Sequence, residues 1–188
     1  VYQIPAASRV AKGRPLINLI NLDEGERITS LLNVESFEEP GFVFMATKKG
    51  VVKKTSLDEF KRQWKVGKKA IKLDPDDELV GSTLTDGEKF IMLVSQSGKA
   101  VFFDEKEARS MGRAARGVKG INLAKDDQVI SLLVPEKENT IFTVSENGYG
   151  KRTNVDDFRK TRRGAKGVIA MQTSDRNGLL LSLIHISE

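Results

Sequence analysis

Short apolar runs punctuate the chain at regular intervals. GFVFMAT (41–47), KFIMLVS (89–95), QVISLL (128–133) and NTIFTVS (139–145) are rich in β-branched and aromatic residues. Gly, Asp and Asn bound them, which is the signature of strands. Ser97-Gly98 and Asn147-Gly148 stand between two such runs, where glycine tolerates the positive φ of a tight hairpin. Long helical periodicity is absent; only SLDEFKRQ and DEKEARS are compatible with a helical turn.

The runs belong to a repeat. SRVAKGRPLINL, KRQWKVGKKAIKL, RSMGRAARGVKGINL and RKTRRGAKGVIAM are basic, glycine-containing segments that each run into an apolar strand. Their anchor glycines, Gly13, Gly67, Gly117 and Gly164, recur about every 50 residues. A second motif, ATKKGVVKKT, VSQSGKAVFF and VSENGYGKRT, keeps the same interval through Gly50, Gly98 and Gly148. SLDEF, DEKEA and NVDDF follow it in the same order. A period of roughly 40–50 residues is that of propeller blades. The pattern predicts an all-β, propeller-like array of four-stranded antiparallel blades, with about four blades present. The approximate units are 9–60, 61–108, 109–158 and an incomplete 159–188.

Composition narrows the chemistry. The 188 residues are 39% hydrophobic and 30% charged, ordinary values for a folded soluble chain. No apolar run reaches the ~18–20 residues that cross a membrane, and VYQIPAASRVAKGRP lacks the apolar core of a signal peptide. With no cysteine and one histidine, His185, disulfides, thiolate zinc sites and His-rich metal sites are excluded, and a Ser–His triad is disfavoured. Asp74, Asp76, Asp77 and Glu78 lack the glycine and final glutamate of a calcium loop. They read as an acidic turn facing away from any polyanion.

Charge changes the picture most. The formal net charge is +5 and the pI about 9.4. The four basic segments hold 17 of the 31 Lys and Arg and none of the 26 Asp and Glu. Repeated at one position in each unit, they predict a continuous basic band, the footprint of a nucleic-acid backbone site. The expected phosphate-contacting set is Arg9, Lys12, Arg14, Lys61, Arg62, Lys65, Lys68, Lys69, Arg109, Arg113, Arg116, Lys119, Arg159, Lys160, Arg162, Arg163 and Lys166. Lys48, Lys49, Lys53 and Lys54 flank a hairpin turn and divide evenly between that role and a solvated tip. Gly117, Gly120, Gly164 and Gly167 suit either close approach of phosphate or simple strand entry. Trp64, Phe60 and Phe158 are read as blade core.

The motifs YQIPAASRVAKGRPLINLI, FMATKKGVVKKT, MGRAARGVKGI, LLVPEKENTIFTVSENGYGKRT and TRRGAKGVIAM closely resemble the C-terminal domain of the A subunit of bacterial DNA gyrase. The resemblance runs to about Gly178. It implies a β-pinwheel whose blades exchange a strand with their neighbours and whose basic outer edge wraps duplex DNA. It implies the rest of the gyrase A subunit, together with the gyrase B subunit, as partners in the bacterial cytoplasm at the nucleoid. It implies no cofactor in this chain, since ATP and Mg belong to other domains of the enzyme, and no catalytic residue, since Tyr2 and Tyr149 do not resemble the cleavage site. The family's box, Q-R-R-G-G-K-G, has its nearest counterpart at Thr161–Gly167 and is otherwise expected upstream of Val1. The tail 179–188, LLLSLIHISE, departs from the family and is read as a truncated end outside the native sequence. Two alternatives remain at this point: the C-terminal domain of the topoisomerase IV subunit, and a propeller used as a protein-interaction platform.

Overall fold

A computed structural model describes residues 6–15, 18, 20, 22, 24–62, 67 and 69–186. Its strands are β1 (Phe42–Thr47), β2 (Val51–Ser56), β3 (Leu79–Thr85), β4 (Phe90–Ser95), β5 (Lys99–Asp104), β6 (Val118–Lys119), β7 (Val129–Leu133), β8 (Thr140–Ser145), β9 (Gly150–Asn154), β10 (Val168–Ile169) and β11 (Leu180–Ile186). Short 3-10 turns at Leu57–Phe60, Glu105–Glu107 and Val155–Asp157 follow β2, β5 and β9. The first two lie where the sequence allowed a helical turn. Among the described residues no helix is long and apolar enough to cross a membrane.

The strands form three antiparallel sheets, ordered β3-β1-β2-β6, β10-β5-β4-β7 and β11-β8-β9. Where about four sheets of four strands were expected, the described residues hold sheets of four, four and three. The described residues before Phe42 contribute no strand to them. Each four-stranded sheet takes its last strand from the following repeat: β6 pairs with β2, and β10 with β5. At the opposite edges β3 packs on β7 and β7 on β11. The borrowed strands therefore lie on the outer edges.

Alternation along the central strands builds the layers. Successive side chains of a strand point to opposite faces. Phe44 and Ala46 of β1 meet Ile91 and Leu93 of β4 and Val101 and Phe103 of β5. The intervening Met92 and Val94 turn the other way, onto Ile141, Leu180 and Leu183 of the third sheet. Val43 and Met45 face a separate cluster with Leu32, Val34 and Phe37. Strands covered on both faces read as near-continuous apolar runs, which is why FVFMAT and FIMLVS lack polar alternation. Phe158 is buried in the cluster between the second and third sheets, and Phe60 packs, partly buried, against the separate cluster of Val43, Met45 and Leu57; Trp64 lies outside the described residues.

The apolar tail forms β11, paired with β8 along its length. A register shift between Leu180 and Ser182 re-phases the alternation, so that Leu180 and Leu183 both enter the core. His185 is exposed on that strand.

Candidate nucleic-acid interface

After each of the last two 3-10 turns the chain leaves its own sheet and runs as an extended strap over the preceding one. The strap 109–120 ends in β6, with Val118 opposite Val52 and Lys119 opposite Val51. The strap 159–170 ends in β10, with Val168 opposite Ala100 and Ile169 opposite Lys99. Gly120 N and Ile121 N both donate to Gly50 O, at 2.7 and 3.3 Å. Ala170 N and Met171 N repeat this on Gly98 O, at 2.9 and 3.3 Å. Gly117 and Gly167 sit where the straps touch down, at φ +101° and +81°. A Cβ there would lie 2.6 Å from Val52 O or Ala100 O. The close approach these glycines permit is thus to the neighbouring sheet, the strand-entry reading.

The straps are laced side by side. Lys72 N donates to Ala115 O at 3.1 Å, joining 69–72 to 109–120. Asn122 N donates to Ala165 O at 2.8 Å and Gly164 N to Gly120 O at 2.7 Å, joining 109–122 to 159–170. The basic segments 109–119 and 159–166 therefore form one track along the outer edge, with the described residues 69–72 joined to its start. Arg9, Lys12 and Arg14 are exposed, and no hydrogen bond among the described residues ties their segment to the others. Lys65 and Lys68 lie outside the described residues.

The described cations of these segments differ. Arg62, Lys69, Arg109, Lys119, Arg159, Arg162 and Lys166 are exposed, and among the described residues their side chains make no hydrogen bond or ion pair. Others are engaged. Arg163 donates from Nε to Glu107 O at 3.0 Å and from Nη1 to Lys119 O at 2.6 Å, while its amide donates to the Glu107 carboxylate at 2.9 Å. Arg113, at the same place one repeat earlier, has Nε 3.5 Å from the Glu59 carboxylate. Arg116 pairs with Asp74. Lys61 pairs with Glu38 at 2.7 Å and holds that carboxyl below its usual range. The Lys160 ammonium lies 3.8 Å above the Phe90 ring.

Three sequence expectations change. The straps are free of acid along the chain but not in space, because the neighbouring 3-10 turns supply Glu59 and Glu107. The acidic turn does not face wholly away, because Asp74 meets a strap arginine; Asp77 instead caps the loop, accepting from Lys49 N and Glu78 N at 2.9 and 3.0 Å. Lys53 and Lys54 are buried, at 0% and 6% exposure, rather than part of a solvated tip. The Lys54 ammonium lies 3.7 Å from the buried Glu105 carboxylate, which also accepts from Thr85 Oγ1, Gly87 N and Lys89 N. That cluster joins the first two sheets. Lys53 is pushed down to about 8, first by burial and then by the Arg113 guanidinium, with Glu59 opposing. Among the described residues no group of His, Asp and Glu is placed to hold a metal ion.

Comparison with known proteins decides the family. The model of the DNA gyrase C-terminal domain, beta-propeller, matches residues 1–35, 41–86, 89–136 and 139–187. The chain belongs to the DNA gyrase C-terminal domain family. Over 118 residues it is 53% identical to the DNA gyrase A subunit of Escherichia coli K12 and 52% identical to that of Salmonella typhimurium LT2. These matches take in 63% of this chain but only 14% and 13% of the relatives' lengths. Among solved structures, the C-terminal domain of DNA topoisomerase IV superposes with a TM-score of 0.86 at 31% identity, covering 93% of this chain and 55% of that one. A DNA gyrase A C-terminal domain superposes at 0.82 and 26% identity, covering 95% and 60%. The four matched stretches of the gyrase-family model overlap the three sheets and the region before them.

Proposed function

We propose that this chain binds, bends and wraps duplex DNA along its strap-lined outer edge, with little dependence on sequence. In this reading it serves the gyrase A subunit, working with the gyrase B subunit, in ATP-dependent negative supercoiling by a type IIA topoisomerase. The chain itself contributes binding rather than catalysis, and takes no cofactor. The observation that carries the reading is the lacing of the basic segments 109–120 and 159–170 into one track, on which Arg109, Lys119, Arg159, Arg162 and Lys166 are exposed. Phosphates follow each other along a duplex, and a linear track of cations matches them without reading bases. Bending 20–30 bp costs on the order of 1–6 kcal/mol, which phosphate pairing along the track must offset.

The exposed cations Arg109, Lys119, Arg159, Arg162 and Lys166 are the primary phosphate contacts in this reading. Arg113, Arg116 and Arg163 contribute charge while holding the straps. The test is a binding titration with duplexes of unrelated sequence, with Arg162→Glu and Lys166→Glu as the variants. Both should weaken binding to every duplex alike. Unchanged affinity in both would contradict the assignment. The high TM-score to the topoisomerase IV domain favours that enzyme as the second reading. A fusion to each catalytic core, assayed on relaxed plasmid, separates the two.

A further inference from the structure

Lys53 lies in β2 beneath the track and is fully buried. Its Nζ donates to Ala70 O at 2.6 Å and to Arg113 O at 2.5 Å. Ala70 lies in the stretch 69–72 and Arg113 in the strap 109–120. One ammonium thus grips the backbones of two successive repeats. Lys69, Glu59 and Gly112–Ala115 line an open cleft of about 450 Å³ between the same two segments.

The next junction is built differently. Gly120, the counterpart of Ala70, has its carbonyl occupied by Gly164 N. Arg163 adds two side-chain bonds there. The residue of β5 that corresponds to Lys53 is Val101, buried and apolar. In the third sheet the corresponding residue is again lysine, and Lys151 Nζ donates to Ala170 O at 2.7 Å. A buried ammonium is costly, and well-packed apolar replacements of buried charge are often neutral or stabilising. Val101 is tolerated because Gly164 N already satisfies the Gly120 carbonyl there, whereas Ala70 O takes its donor from Lys53. Filling space therefore does not account for Lys53.

We propose that Lys53 is a positioning residue for nucleic-acid binding, setting the spacing of the stretch 69–72 and the strap 109–120 so that their exposed cations follow one backbone path, without touching the nucleic acid itself. This rests on the DNA-binding reading above. The charged groups facing its ammonium are Arg113 of the strap and Glu59 of the 3-10 turn.

The test compares the wild-type chain with Lys53→Val and Lys53→Met. Both variants should keep the β circular-dichroism spectrum and stay folded at the binding temperature, melting a few degrees lower than wild type because two carbonyls lose their donor. The Lys72 amide, which bridges the same two segments, should exchange with deuterium about tenfold faster. Affinity for a 40-bp duplex should fall several-fold, and the salt slope should become shallower by about one to two phosphates' worth. A merely structural lysine would change the melting point and leave the slope alone. If wild type binds and both variants match it in affinity, slope and exchange, this role is overturned alone. If wild type does not bind duplex, the DNA reading is overturned and this role with it. Unfolding of both variants would also contradict it, because the position would then be one that cannot do without the charge.

Discussion

Arg163 reaches from one strap to the next, donating from Nη1 to the carbonyl oxygen of Lys119 at 2.6 Å. Its neighbour Arg162 is exposed and makes no such contact. Two adjacent arginines of one basic segment therefore do different work. Arg163→Ala should cost about 1–2 kcal/mol of stability, the range of charge-assisted hydrogen bonds lost at a partly exposed site. Arg162→Ala should leave the melting point unchanged and reduce the salt slope of binding by about 1. Thermal melts and salt titrations of the two variants check the contrast.

Glu105 should be the most sensitive side chain at the junction of the first two sheets. It is fully buried and gathers Lys54, Thr85 Oγ1 and the amides of Gly87 and Lys89. Removing one partner of a buried pair leaves an uncompensated charge, at a cost of about 3–5 kcal/mol. Glu105→Ala should lose that much in a denaturant titration. Replacing Lys54 and Glu105 together by apolar residues should recover much of it.

Lys53 gives the protein a mildly alkaline titration. Its folded pKa of about 8 lies below the ordinary lysine value of 10.5. Between those values the unfolded chain binds the proton and the folded chain does not. Its contribution therefore favours folding increasingly as pH rises through that window, and weighs against folding below about pH 8. The stability difference between wild type and Lys53→Met should shift toward wild type from pH 8 to 10.5, and an NMR titration of the Lys53 ammonium should show its midpoint near 8.

Much of this was legible in the chain, for identifiable reasons. FVFMAT and FIMLVS announce strands because both faces of β1 and β4 are covered. The basic segments stand out because glycine and charge recur together. The borrowed strands were not legible from pattern, since two residues such as Val118–Lys119 carry no periodicity. Nor was the division among cations. Arg113 and Arg163 meet acids more than 50 residues earlier in the chain, and the carbonyls that bury Lys53 come from 17 and 60 residues away. VVKKTS reads as a lysine-protected hairpin until those partners are known. Leu180 and Leu183 share a face only because the register slips between them.

In the proposed function the laced straps bind phosphate as one track of cations. The most direct measurement is the affinity of this chain for a duplex long enough to follow that track, across a series of salt concentrations. Each phosphate neutralised contributes a slope of roughly −0.9 in log K against log salt. Pairing by about five to eight of the exposed cations gives an expected slope near −5 to −7, the same for unrelated sequences. A slope near zero, or affinity confined to one sequence, would contradict backbone binding along the straps.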